Sequence, residues 1–315
     1  MNNLKKVGLT ALAGALVSVS ANAADLSVTG AASIGFAGEE QQTTGNGWYM
    51  NDGITFAASA EMDNGWVVST SMLLDNSDGV ANEVIDNRSM TIDMGDNGVL
   101  TFAADGGSSA LDAIDDVTPN AYDEPWALVT GATPAIGGAG GSDIFVYNNT
   151  SLMDELSLTA SYTPSDAAVE IESSTAFAAS YTGIADGLTI GGGMGEDNGA
   201  AATLDITNMY VTYTMDSFTL GYQASESDSE TASADTDMTA IGVSMAVTED
   251  LTVAINSNTI EYEDTSLSDQ EALGISASTT MGSMTLAFAY NQIDNIAGTA
   301  TADRSGYDLN LAFAF

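Results

Sequence analysis

Tyr307-Asp308-Leu309-Asn310-Leu311-Ala312-Phe313-Ala314-Phe315 closes the chain with Tyr307, Leu309, Leu311, Phe313 and Phe315 on one parity and Asp308, Asn310 and Ala312 on the other. Successive strand residues point to opposite faces, so this stretch reads as a strand with one apolar and one polar face. The same alternation runs back through the chain. Ile241, Val243, Met245 and Val247 stand against Ala240, Gly242 and Ser244, and Leu156, Leu158, Ala160 and Tyr162 against Ser157, Thr159 and Ser161. It is already present in Ile54, Phe56 and Ala58 against Thr55 and Ser59, and in Leu26, Val28, Ala32, Ile34 and Phe36 against Ser27, Thr29, Ala31 and Ser33.

Two kinds of connection alternate between these strands. Tight ones include Asp63-Asn64-Gly65, Gly95-Asp96-Asn97-Gly98, Ala185-Asp186-Gly187 and Met281-Gly282-Ser283, several with the Asn-Gly or Asp-Gly signal of a short hairpin. Long acidic ones are assigned to 38–47, 75–86, 105–143, 164–173, 193–202, 225–237, 258–270 and 291–304, and they hold most of the acids. Seven tight turns and eight long loops imply sixteen strands. Short turns on one side, long loops on the other and an even strand number predict an all-β fold, a 16-stranded antiparallel transmembrane β-barrel with short periplasmic turns and long extracellular loops. A barrel of that size encloses water rather than a packed core. Aromatic residues on the apolar parity collect at both strand ends, Phe36, Tyr162, Tyr222, Tyr290 and Tyr307 beside long loops and Trp66, Tyr181, Tyr213, Phe218 and Phe315 at the other end. Two interfacial girdles are the reading. A soluble sandwich explains neither the girdles nor the alternating loop lengths.

Composition narrows function by what it lacks. Among 315 residues there are 44 acids against four Lys and Arg, with no His and no Cys. Lys5 and Lys6 precede the apolar run Val7 to Val19 and Ala21-Asn22-Ala23, the pattern of a secretory signal, so residues 1–23 are expected to be removed and 24–315 to form a single barrel. Only Arg88 and Arg304 then remain as bases. Nucleic-acid binding, thiol or imidazole catalysis and zinc ligation all lose their usual side chains, so no enzyme and no resident cofactor are expected. Loosely bound calcium or magnesium on the acidic loops is compatible with oxygen-only ligands. Gly191-Gly192-Gly193-Met194-Gly195 lacks the lysine of a phosphate loop and reads as a flexible strand end. Asp205 breaks the pattern by sharing parity with Met209, Val211 and Tyr213, as a residue at the interface or at a bulge would.

The signal, the strand number, a third loop far longer than the rest and a strand ending in Phe315 resemble the general porins of Gram-negative outer membranes, especially the alphaproteobacterial type. The most specific pieces are Gly98-Val99-Leu100-Thr101-Phe102, leading into the third loop, and Leu309 to Phe315. The resemblance implies a homotrimer in outer-membrane lipid, a terminal Phe315 read by the outer-membrane assembly machinery, and a third loop folded toward the lumen. Asp112, Asp115, Asp116, Asp123 and Glu124 on that loop would then form the pore constriction. Glu61, Asp93 and Asp308 lie on the polar parity and are expected to line the lumen, with Arg304 at its rim, whereas Arg88 shares parity with Met90 and Ile92 and nominally faces lipid. General porins set basic residues opposite the loop acids; that cluster is absent here. The expected function is a water-filled, cation-preferring channel for passive diffusion of small hydrophilic solutes. A substrate-specific channel and a structural or adhesive barrel are the alternatives.

Overall fold

A computed structural model describes residues 25–41, 47–75, 85–138, 141–165, 171–198, 202–231 and 233–315. The expected signal, 1–23, lies outside them. The described residues form β1 (Asp25–Glu39), β2 (Trp48–Glu61), β3 (Val67–Asp75), β4 (Ile85–Asp93), β5 (Val99–Asp105), β6 (Ile144–Asn149), β7 (Leu156–Thr163) and β8 (Ser174–Tyr181). They continue as β9 (Leu188–Asn198), β10 (Thr203–Met215), β11 (Phe218–Ser229), β12 (Thr236–Ala246), β13 (Leu251–Tyr262), β14 (Gln270–Met281), β15 (Met284–Asp294) and β16 (Arg304–Ala314).

Each strand pairs antiparallel with its neighbours in sequence, and β1 pairs with β16, so the sheet closes on itself with no free edge. The closure runs from Ala31 opposite Ala314 to Glu39 opposite Gly306. Beyond it, the Phe315 amide donates to the Gly30 carbonyl and the Gly30 amide to the Phe315 carbonyl. Closure satisfies the backbone groups that hydrocarbon leaves unpaired.

The outward parity carries the apolar band, with Phe177, Met194, Met209, Leu220, Ile241, Ile255 and Ile275 all exposed. Phe36 stacks obliquely on Trp48 and Tyr307, with ring centroids at 5.1 and 5.9 Å, and forms part of the girdle beside the long loops.

Three sequence expectations are corrected. Several strands run further toward the long loops than their polar composition suggested: Glu196 and Asp197 belong to β9, Glu226 and Asp228 to β11, Asp237 to β12 and Glu261 to β13. Backbone pairing continues there because the alternation persists after the apolar residues stop. Gly191 to Gly195 lie inside β9 rather than at a flexible end, paired with β8 and β10. Asp205 occupies no bulge: β10 pairs regularly, and Asp205 stands opposite Glu196 on one side and Asp228 on the other.

Candidate functional site

Between β5 and β6 the described part of the third loop, 106–138 and 141–143, passes into the barrel and follows the inner wall. Its Ala110 amide donates to Ser161 Oγ on β7, and the Ile114 carbonyl accepts from Asn208 on β10 and Gln223 on β11. Further on, the Ala121 amide donates to Ser276 on β14, and the Glu124 carbonyl accepts from Asn291 on β15. Thr133 and Gln270 on β14 exchange two bonds, the Thr133 amide donating to Gln270 Oε1 at 2.8 Å and Gln270 Nε2 donating to the Thr133 carbonyl at 2.9 Å. Most of these anchors are neutral amide side chains on the inward parity. Each such bond contributes about 1 kcal/mol net.

Two apolar contacts pin the loop on either side of its acidic middle. Ala110, Leu111 and Ile114 pack on Ala176, Ala178 and Ile206, and Val129 packs with Trp126 on Ala272, Ile293 and Ile296. Inward glycines let the backbone lie close to the wall. A Cβ on Gly221 would fall 2.3 Å from Pro119 Cδ, one on Gly242 2.7 Å from the Pro119 carbonyl oxygen, and one on Gly306 2.1 Å from the Leu128 carbonyl oxygen. Any side chain at these positions would push the loop toward the lumen axis.

The predicted loop acids are brought to one stretch but not into one environment. Asp112 is part of the loop's own scaffold, its carboxylate accepting from the Ser109 amide at 2.7 Å and the Gly138 amide at 2.8 Å. Asp116 is exposed, and Asp115, Asp123 and Glu124 are half-buried. Burial, then the charges of Asp116 and Asp112, pushes Asp115 up to about 7. Burial and the Asp308 carboxylate push Asp123 up to about 6, and burial with Asp116, Asp115 and Asp123 pushes Glu124 up to about 8. Among the described residues no base offsets these shifts.

The four residues expected to line the lumen divide similarly. Glu61 ends β2, and Asp93 ends β4 with its carboxylate capping the Gly95 amide at 2.9 Å, so both stand at the tight-turn rim. Asp308 is only 4% exposed and accepts from Tyr49 and Tyr122 on one oxygen, at 2.6 and 2.7 Å. Burial and that carboxylate hold the Tyr122 hydroxyl protonated, as a donor must be. Arg304 forms an ion pair with Glu39 and donates to the Thr130 carbonyl at 2.6 Å, while Thr130 Oγ1 donates to Glu39 at 2.7 Å. The guanidinium is thus neutralised and spent on latching the far end of the loop. Arg88 pairs with Asp105 at 2.8 Å at the end of the barrel that bears the long loops.

The wall that the loop leaves clear is formed by β2 to β4, with Thr55, Ser59, Ser69, Ser71, Ser89 and Thr91 on the inward parity. A cavity of about 780 Å³ beside β1 to β3 and β16 has Ser33, Asn51, Thr55, Asp75 and Asn310 in its lining. The loop side of the lumen is rich in acids, and the inward residues of β2 to β4 are mainly hydroxyls.

The sequence profile of the family described as Gram-negative porin matches residues 8–266. The chain belongs to that family. This porin is similar in structure to OmpT of Vibrio cholerae in its trimer form, at TM-score 0.72 and 10% identity over 93% of this chain and 99% of that one. It is also similar to the anion-selective porin from Comamonas acidovorans, at TM-score 0.70 and 10% identity over 93% of this chain and 100% of that one. An engineered variant of the Rh. blastica porin aligns at TM-score 0.67 and 14% identity over 92% of this chain and 100% of that one. No curated protein sequence matches the chain. Sixteen spanning strands of such a porin place it in the outer membrane.

Proposed function

We infer that this porin is a cation-preferring diffusion channel for small hydrophilic solutes, assembled as a homotrimer after removal of residues 1–23. The observation that carries the preference is the uncompensated charge of the third loop: among the described residues no base pairs with Asp115, Asp116 or Asp123, and Arg304 is already paired with Glu39. Low-dielectric walls focus the field of fixed charges into the water between them and concentrate the opposite ion there. The similar fold of an anion-selective porin does not weigh against this, since selectivity follows the lining charges and not the barrel. The trimer form of the similar Vibrio cholerae protein supports the assembly state.

Reversal potentials across a planar bilayer in a potassium chloride gradient test the reading. Cation preference should be strong at about 0.1 M salt and weaken near 1 M, where the Debye length falls to roughly 3 Å. Replacing Asp112, Asp115, Asp116, Asp123 and Glu124 by their amides should reduce it more than replacing five acids of 225–237 and 258–270. An anion-selective or unselective wild-type pore would refute the proposal.

A further inference from the structure

We propose that Arg88 of one copy of this porin pairs with Asp52 of the next, on the outer wall between β4 and β2, a pairing that presupposes the proposed homotrimer. Tyr49 bonds Asp308 inside the barrel, so Trp48, Met50, Asp52 and Ile54 take the outward parity of β2. Met50 and Ile54 are 60% and 40% exposed, and Asp52 is exposed between them, opposite Ala32. Outward acids on other strands, such as Glu196, Asp205 and Asp228, stand in register at the long-loop ends, past the apolar residues of that face. Asp52 instead has Trp48 and Met50 beyond it and so lies within the apolar band. A bare carboxylate is destabilising in hydrocarbon, and charged groups at membrane depth pair with one another or face protein. Neither of the two ion pairs among the described residues includes Asp52.

With Arg304 turned to Glu39, Arg88 is the base left for the outer wall. It stands opposite Met72, and Met72 opposite Phe56 on β2, so it shares the outward face. Asp105 holds one guanidinium nitrogen at 2.8 Å, yet the side chain is 55% exposed, and its five N–H donors can serve a second carboxylate. Register rows climb the barrel: the row from Leu26, near the tight-turn end of β1, arrives at Glu196, near the long-loop end of β9. Asp52 is nearer the long loops than Phe56, and two strands of climb carry Arg88 toward the same height. Strand length points to the same side of the barrel. Strands β3 to β8 have nine residues or fewer and β9 to β16 eleven or more. Crossing hydrocarbon takes about 9–11 residues, so the low side is the one that protein covers better than lipid. A cyclic trimer joins two different patches, one on each side of the line that faces its axis. Asp52 on β2 and Arg88 on β4 flank β3 with opposite charges, which is the complementarity such a joint needs.

Electrophoresis of unheated and heated samples reads oligomer and barrel separately, so a lost trimer and a lost fold are different results. Asp52→Leu and Arg88→Gln should each lower the temperature at which the trimer dissociates. Asp52→Arg should abolish the trimer and leave a heat-modifiable monomer, and adding Arg88→Asp to it should recover the trimer. The chain has no cysteine, so engineered ones report contacts cleanly. Oligomers refolded from a mixture of Asp52→Cys and Arg88→Cys chains should give a covalent dimer with a short bismaleimide, and neither chain alone should. An Asp52→Leu barrel that melts higher with its trimer unchanged would place Asp52 against lipid and overturn the pairing. A mixture that does not cross-link, or either chain cross-linking alone, would overturn it too. A wild type that is monomeric both in the unheated gel and by light scattering would remove the homotrimer itself, and the pairing with it.

Discussion

Gly306→Ala offers a sharp test of how the third loop is seated. The added Cβ would lie 2.1 Å from the Leu128 carbonyl oxygen and 2.9 Å from its carbon, both backbone atoms that no rotamer change can move. Carbon-to-oxygen contacts settle at about 3.3 Å or more, so the loop must retreat by roughly 1.2 Å. Two residues on, Thr130 accepts from Arg304 at 2.6 Å and donates to Glu39 at 3.1 and 2.7 Å. A displacement of that size takes all three past hydrogen-bond range. Thr130 itself is exposed although the Arg304 and Glu39 side chains are largely buried, so at about 1 kcal/mol per bond the latch loses about 3 kcal/mol in all. The anchors at Thr133 and Tyr122 remain, so the expected result is a folded barrel whose loop fluctuates between them. In planar-bilayer recordings the variant should show broader open-channel current noise and a shifted mean conductance. Arg304→Gln, which breaks the ion pair without steric pressure, should share the noise. A Gly306→Ala channel with wild-type noise and conductance would refute the seating argument.

Deleting Phe315 removes the backbone pairing with Gly30 and the expected assembly signal, and outer-membrane levels measured by immunoblot should fall sharply. Asp115, Asp123 and Glu124 bind protons more tightly folded than unfolded, so in chelator-containing buffer stability should fall as pH rises from about 4, where unfolded carboxyls ionise, through the folded values of about 6 to 8. Over the same window cation preference should rise with pH; reversal potentials and melting curves at half-unit intervals check both. Asp237 stands directly opposite Glu226 and Glu261. Asp237→Asn should therefore stabilise the barrel by about 0.2–1 kcal/mol at low ionic strength, and the gain should vanish near 1 M salt.

The barrel was legible because lipid outside and water inside impose one rule on every strand. Period two survives in the polar stretches too, which is why β11 to β13 outrun their apolar segments. The seat of the loop was harder to read. Gly221, Gly242 and Gly306 look like any small inward residues until Pro119 and Leu128 arrive, and those arrive from a hundred or more positions away. Gln223, Gln270 and Asn291 carried a weak signal, since long amides have no need to recur on a face that merely meets water. Parity put Asp308 and Arg304 on the polar face, yet it could not show that Arg304 answers Glu39 across the β1–β16 seam or that Asp308 lies beneath two tyrosines.

A channel of the kind proposed, preferring one sign of charge, must also hold an acidic loop against its wall. Acids on the loop repel one another and, without facing bases, gain nothing from the wall, as the raised affinities of Asp115, Asp123 and Glu124 for protons record. Ion pairs between loop and wall would supply the attraction but would place positive charge beside the path of the ions. Neutral anchors avoid that conflict. Asn208, Gln223, Gln270 and Asn291 grip the loop through its backbone, and apolar plugs at Leu111 and Val129 add contact that is indifferent to ionisation. The arginine that does bind the loop sits at its far end, cancelled by Glu39. Seating by amides, glycines and apolar contacts is what allows the loop to keep an unopposed negative charge.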